Sequence, residues 1–363
     1  MRKENIFKIL LAGLFVLVSL NLNAQEAQEE TSGKIDTKSG VKEFVDHHLK
    51  DSHYFNFFSD GEKGEHYGIA LPVIIWDQGL KVFSASKFHH GEELVELDGN
   101  YYKLYHSKIY KTGPEGIIGY GENHFPTNEK PLDFSITKNV TAMIFVALLM
   151  FLMFWALAKN YQKRSIPTGF SRFLEPLVLF IRDDIAKENI GSNYKKYMSF
   201  LLTVFFFILI LNLLGLTPFG INVTGNIAVT FGLALITFII VQFSANKQYW
   251  KHIFWMPGVP IPMKIVLMPI EVLGILTKPF ALMIRLFANM MAGHVVVMSL
   301  LGLIFVFQNW IASPTFFGFT IFISLIELLV AFLQAYIFTL LSALYIGMAI
   351  EVHDDHGDDV PVI

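Results

Sequence analysis

The sequence predicts an all-α polytopic membrane domain with long tilted helices, preceded by a small β-rich exported N-terminal domain. Three observations predict it. Of the 363 residues 53% are hydrophobic, 35 are phenylalanine, and the mean hydropathy is +0.48, far from the composition of a soluble domain. After Asp133 long apolar segments follow one another closely, and a helix needs about 20 such residues to cross a hydrocarbon core. Before Asp133 lies a polar stretch of short runs and turn residues, led by a basic, then apolar, then small-residue segment.

That leading segment, "MRKENIFKILLAGLFVLVSLNLNAQ", carries Arg2, Lys3 and Lys8 ahead of an apolar core and small residues around Ala24. Residues 1–24 therefore read as a signal peptide, with an uncleaved anchor as the alternative because Leu22 stands where a smaller residue is usual. Residues 25–135 form an extracytoplasmic region. Its start, "EAQEETSGKIDTKSG", is too poor in apolar residues to fold. Further on, "IALPVIIW", "LKVFSAS" and "NYYKLYHSKIY", broken by Asp77-Gln78-Gly79 and Asp98-Gly99, read as short strands with tight turns. His47, His48 and His53 lack a second ligand at zinc spacing and read as solvated or core side chains.

Residues 136–350 form the membrane domain and 351–363 an acidic cytoplasmic tail. The expected spans are Val140–Ala158, Met198–Leu216, Ile227–Ser244, a run from Ile265 to Phe307 interrupted at Lys278-Pro279, and Phe316–Ile350. That makes five spans, or six if Ile265–Thr277 enters the bilayer as a re-entrant arm. Lys159, Lys163, Arg164, Arg172, Arg182, Lys187, Lys195 and Lys196 lie between the first two, whereas Thr217–Asn226 and Gln308–Thr315 hold no Lys or Arg. The basic loop is expected in the cytoplasm, with the N-terminal region outside and the C-terminus inside. Phe316–Ile350 would reach ~50 Å against a hydrocarbon thickness of ~30 Å, so it must tilt or extend into the cytoplasm.

A net charge of −3 supplies no global field for nucleic acid, and the absence of cysteine excludes disulfides, thiolate metal sites and a Cys nucleophile. No G-x-x-x-x-G-K-[ST] loop occurs, so no nucleotide chemistry and no enzyme activity are expected of the chain, and no cofactor is implied.

Local charge is another matter. The penultimate span holds Arg285, Asn289 and His294, the last holds Glu327 and Gln334, and the run before Pro279 holds Glu271 and Lys278. A charged side chain at the bilayer centre costs at least ~2.5–3.5 kcal/mol, so such residues mark ion paths or find partners. Lys278 and Arg285 could snorkel, and Asn289 could hold helices together. Counted from Gln308 and Thr315, His294 and Glu327 are 14 and 12 residues away, Arg285 and Gln334 23 and 19. Two polar levels follow, an outer imidazole and carboxylate and, ~10–13 Å deeper, a guanidinium and amide. Arg285 and His294, nine residues apart, point to opposite faces; either Gly293 distorts the helix or, as we prefer, Arg285 looks outward to another partner. His relays protons near neutral pH, whereas Arg stays charged, holds a carboxylate ionised and repels a travelling proton.

Over "KPFALMIRLFANMMAGH" and "LIELLVAFLQAYIFTLLSALY" the sequence resembles the a subunit of the F-type ATP synthase, and more loosely so from Val140 to Ile350. The resemblance rests on R-L-F-x-N-x-x-A-G with a downstream L-Q-A-[FY]-I-F. It implies that Arg285 faces the c-ring carboxylates and separates two half-channels, that Asn289 lines the path, and that Gln334 packs near the arginine. It also implies that Glu271 belongs to the cytoplasmic half-channel. His294 and Glu327 fill an interacting pair that some bacterial members fill in the opposite order.

The expectation is a proton-translocating stator subunit in a bacterial inner membrane. Its implied partners are the c-ring subunits, b-type peripheral stalk subunits, the rest of the complex and the lipid bilayer, with no nucleic acid. The rivals are a self-contained proton-coupled transporter and a structural membrane anchor. The exported segment could shape the outer mouth of the channel, contact another stator subunit, or be a mere insertion. His89, His90 and the tail "EVHDDHGDD" could collect protons or metal, or simply be solvated.

Overall fold

A computed structural model describes residues 49–60, 65–91, 93–121, 125–163, 169–217, 221–256, 259–307 and 309–350, together with Val41 and Val45. The expected signal peptide, His47, His48 and the acidic tail lie outside the described residues. The chain divides into two units, one containing residues 46–142 and the other residues 143–363.

Among the described residues the first unit has eight strands: β1 (Tyr54–Asp60), β2 (Glu65–Ala70), β3 (Pro72–Trp76), β4 (Leu80–Ser84), β5 (Val95–Leu97), β6 (Asn100–Tyr105), β7 (Lys108–Thr112) and β8 (Leu132–Asp133). They pair antiparallel as β1-β2, β4-β3-β8 and β5-β6-β7. Val73, Ile75, Phe83, Val95, Tyr102 and Ile109 alternate inward and form one core with Tyr54, Ala85 and Phe88. Asp98 and Gly99, both at positive φ, close the β5-β6 hairpin, the geometry that Asp-Gly favours in a two-residue loop. The run "NYYKLYHSKIY" is not one strand. It folds back at His106-Ser107, where φ is 48 and 61 and Tyr105 pairs with Lys108. Neither residue is the Asn, Asp or Gly that a two-residue hairpin loop favours most, so the β6-β7 register as well as local propensity sets this turn.

Polar order in this unit centres on Asp77. Lys111 Nζ lies 2.9 Å from its carboxylate and Tyr102 Oη donates to it at 2.7 Å, and these hydrogen bonds hold Asp77 below the ordinary carboxylate range. A depressed folded-state pKa stabilises above the unfolded value of about 3.9, and that stability disappears as pH falls through the folded value. Amide protection of β6 in the full chain, followed by hydrogen exchange, is expected to fall on acidification through that range. Asp77→Asn is expected to lower protection at neutral pH and to weaken its acid dependence.

The second unit is helical: α1 (Lys138–Lys163), whose first turn belongs to the β unit, then α2 (Phe170–Phe180), α3 (Tyr194–Gly215), α4 (Ile227–Ser244), α5 (Lys247–Phe254), α6 (Ile261–Phe307) and α7 (Ala312–Ile350). A π-helical stretch, Ile181–Lys187, and two short turns join α2 to α3. Asp183 binds Arg182 at 2.7 Å and Lys187 at 2.6 Å, so part of the basic connection is neutralised within itself. Among the described residues five helical segments are long and apolar enough to cross a membrane: Lys138–Gln162, Ser171–Gly215, Ile227–Ser244, Ile261–Phe307 and Ala312–Ile350.

The expected interruption at Lys278-Pro279 is absent. α6 runs unbroken for 47 residues through Pro269 and Pro279. Proline removes one main-chain donor, but in hydrocarbon a broken helix would expose many more polar groups, so the helix continues. The Thr277 hydroxyl, which donates to Gly274 O at 3.0 Å, supplies a neighbouring carbonyl with a partner. At ~1.5 Å per residue α6 and α7 extend to ~70 and ~58 Å, well beyond one hydrocarbon thickness. α7 packs along α6, α3 and α4, and α6 also packs on α4.

Candidate functional site

α7 buries a stripe of mostly small residues: Ala331, Ala335, Thr339, Ser342, Ala343 and Gly347. Small side chains let backbones approach closely, the usual means of helix association in a bilayer. Gln334 lies on this stripe and is 3% exposed, and Glu327, one turn before Ala331, extends it at half-burial. On α6 the buried stripe is Leu282, Met283, Leu286, Met290 and His294. Arg285 lies off it, only partly buried, between the exposed Ile284 and Ala288.

At the inner polar level the hydrogen bond joins two amides. Asn289 Nδ2 donates to Gln334 Oε1 at 2.9 Å, so the amide of α7 meets an amide of α6 one turn from Arg285. Counting along the hairpin explains it: Asn289 is 19 residues before Gln308 and Gln334 is 19 after Thr315, whereas Arg285 is 23. Arg285 lies within electrostatic reach of Tyr345 on α7.

At the outer level two bare glycines admit the Glu327 and His294 side chains. The Glu327 carboxylate lies against Gly293, so close that a Cβ there would collide with Oε1. Next along α6, the His294 imidazole packs toward the end of α3, where a Cβ on Gly215 would sit 3.1 Å from Nε2 and 3.3 Å from Ile221 O. The structure thus brings Glu327 against Gly293, the residue that precedes His294 on α6.

A buried polar knot supports this level, and the sequence reading missed it. Asn212 of α3 is fully buried; its Nδ2 donates to Ala331 O at 3.3 Å and its Oδ1 accepts from Thr224 Oγ1 at 2.9 Å. Asn222, in the same connection as Thr224, accepts from Gly225 N at 3.1 Å. The available signal was Asn212 itself, an amide inside an otherwise apolar span, which must find partners.

Glu271 is not brought to Arg285; fourteen residues of helix separate them by ~21 Å. It lies within electrostatic reach of Lys278 and Tyr249. Gln242, Tyr249, Lys278 and Tyr345 are the principal polar groups lining a small pocket of about 10 Å³ between α4, α5, α6 and α7. Lys278 Nζ stands 5.3 Å from the centroid of the Tyr345 ring, a cation–π contact that shelters its charge.

In the β unit His53 is buried and lies 3.4 Å from Asp133, while His89 Nδ1 lies 2.9 Å from Glu93. Among the described residues no group of three or more His, Asp or Glu side chains could hold a metal ion.

The family described as ATP synthase A chain matches residues 140–347, and a domain of unknown function matches residues 44–134. The chain is 49% identical over 253 residues to ATP synthase subunit a of Chloroherpeton thalassium, covering 68% of this chain and 74% of that one. It is 40% identical over 319 residues to ATP synthase subunit a 2 of Prosthecochloris aestuarii, covering 83% and 97%. With subunit a of Myxococcus xanthus the identity is 46% over 240 residues, covering 63% and 78%. The matched family spans every membrane helix that carries the polar levels described above, and the chain belongs to the ATP synthase A chain family.

Proposed function

We propose that this chain is the proton-translocating, non-catalytic stator subunit of a rotary F-type ATP synthase in a bacterial inner membrane, and that Arg285 is its central charge. The observation that carries the reading is the arrangement on α6 and α7. A guanidinium stands off the buried stripe of α6, one turn from the Asn289–Gln334 hydrogen bond, with Glu327 and His294 at the next level.

Each residue has a task set by its chemistry. His294 and Glu327 pass protons from the outer side, since an imidazole and a carboxylate can each hold and release one near neutral pH. Asn289 and Gln334 hold the path open without titrating. Arg285, charged under all physiological conditions, draws a ring carboxylate into the ionised state and blocks a straight leak between the two routes. Protons leave toward the cytoplasm near Glu271, beside the pocket lined by Gln242, Tyr249, Lys278 and Tyr345. The c ring supplies the carboxylates that travel, b-type subunits complete the peripheral stalk, and nucleotide chemistry resides in other subunits. The N-terminal β unit is exported behind a signal peptide, and the C-terminus is cytoplasmic, as the distribution of Lys and Arg favours.

Passive proton conduction through vesicles stripped of the catalytic subunits tests the reading. His294→Ala and Glu327→Gln are each expected to slow dye-reported conduction by on the order of tenfold or more. Because a relay acts as a unit, the double variant should be no slower than the slower single variant. Unchanged conduction in both single variants would sink the relay.

A further inference from the structure

The sheet β4-β3-β8 has two apolar faces. Val73, Ile75 and Phe83 point into the core. On the other face the register places Ile74 beside Val82, Trp76 between Leu80 and Leu132, and Phe134 beside Ile74, whose carbonyl accepts its N–H at 2.8 Å. Trp76, Leu80, Val82, Leu132 and Phe134 are each more than half exposed. An antiparallel sheet with one solvated face alternates apolar and polar residues, so an apolar second face calls for a cover. No charged side chain belongs to it: Lys81 and Asp133 fall on the core side by the same register.

The occupant follows from the tether. Between this sheet and the first membrane helix there is no slack chain. Ile74 N–H donates to Ser135 Oγ at 3.1 Å, Ile136 N–H to Pro72 O at 3.1 Å, Lys138 N–H to Ser52 O at 2.9 Å, and Asn139 N–H to Asp51 Oδ1 at 3.1 Å. The β unit therefore caps the first turn of α1 with its own groups. Phe134 and Leu132 lie four and six residues before Lys138, hence within ~14 and ~21 Å of it even if fully extended. A charge-free face edged by a tryptophan at that distance from a membrane span matches the side chains that settle at the lipid headgroup level.

We infer that the outer face of β4-β3-β8, carried by Trp76, Leu80, Val82, Leu132 and Phe134, rests in the headgroup and upper acyl region of the bilayer that α1 crosses. The β unit is thereby a membrane-seated collar and not a free ectodomain. This inference stands apart from proton conduction and does not depend on which side of the membrane the unit occupies.

The chain contains no cysteine, so single nitroxides can be placed without altering other sites. Val82→Cys, Leu132→Cys and, as a water-exposed control on β5, Glu96→Cys would be labelled in the full chain in phosphatidylcholine vesicles. Collision with oxygen, which partitions into lipid, is compared with collision with a polar nickel chelate. The oxygen-to-nickel ratio at 82 and 132 is expected to exceed that at 96, and to fall to the control value at 132 when Val82→Asp and Leu80→Asp are added. Nickel reaching all three sites alike would place the face in water and overturn the inference. Exclusion of both reagents at 82 and 132 would overturn it too, by assigning the face to a protein partner.

Discussion

Arg285→Gln is expected to abolish ATP-driven acidification of inverted membrane vesicles while the complex still assembles, and to add a passive proton leak. The size of the effect follows from charge alone. Two unit charges about 4 Å apart at an effective dielectric of about 20 attract by about 4 kcal/mol, which is about a thousandfold in the balance between an ionised and a protonated carboxylate. Glutamine keeps much of the bulk and some of the hydrogen-bonding capacity but none of that charge. A carboxylate arriving beside it retains its proton, the ring carries the proton onward, and turnover no longer couples to transport. Arg285 lies off the buried stripe of α6, so its replacement leaves the packing of Leu282, Leu286 and Met290 in place. Full pumping by the variant would reduce Arg285 to a charge that snorkels to the lipid headgroups.

Gly347→Ala is expected to act on the opposite quantity, the amount of assembled chain. The carbonyl of Asn189 lies against Gly347 so closely that a methyl group would overlap it. That carbonyl belongs to the main chain, in a turn tied back by Asn189 Nδ2 to Ile185 O at 2.8 Å, directly after the π-helical stretch. It has nowhere to go. Overpacking typically costs about 1–3 kcal/mol, and a collision with fixed backbone stands at the upper end. Immunoblots of membranes and native gels should show severalfold less chain and less complex, with the surviving complexes conducting normally. Equal abundance of wild type and variant would mean that α7 and the turn before α3 separate without penalty. Gly293 offers the contrast, because there the added methyl meets the mobile end of the Glu327 side chain, which can swing aside.

Much of this architecture was legible in the residues. Hydropathy located the five membrane segments, Ile227–Ser244 to the residue, because twenty apolar side chains in a row have few alternatives, although it began the second at Met198 where the helical segment begins at Ser171. Asp98-Gly99 announced its hairpin through the left-handed backbone that glycine favours. The features that escaped are those whose cause is tertiary. Pro279 looked like a break because isolated helices break at proline, whereas hydrocarbon penalises the break more than the kink. His106-Ser107 lacks the Asn-Gly or Asp-Gly signal of a two-residue loop, and its turn shows only once β6 and β7 are paired. The hydrogen bond of Gln334 to Asn289 also escaped, although both residues stand nineteen positions from the hairpin turn. The Asn212–Thr224 knot joins residues whose meeting depends on how α3 and its connection settle beside α7.

α7 is gripped twice from outside, and both grips take hold of main-chain oxygen. Asn212 Nδ2 donates to Ala331 O, and at the far end Asn246 donates from its backbone N–H to Ala349 O at 2.9 Å and from Nδ2 to Ile350 O at 2.7 Å. Ala331 and Ala349 are eighteen residues apart, about five turns, so the two grips lie on one side of the helix and forbid it to roll. A carbonyl is common to all twenty amino acids. The rotational setting of α7 is therefore indifferent to what its outward side chains are, and mutation can rewrite that surface without dislodging the rod.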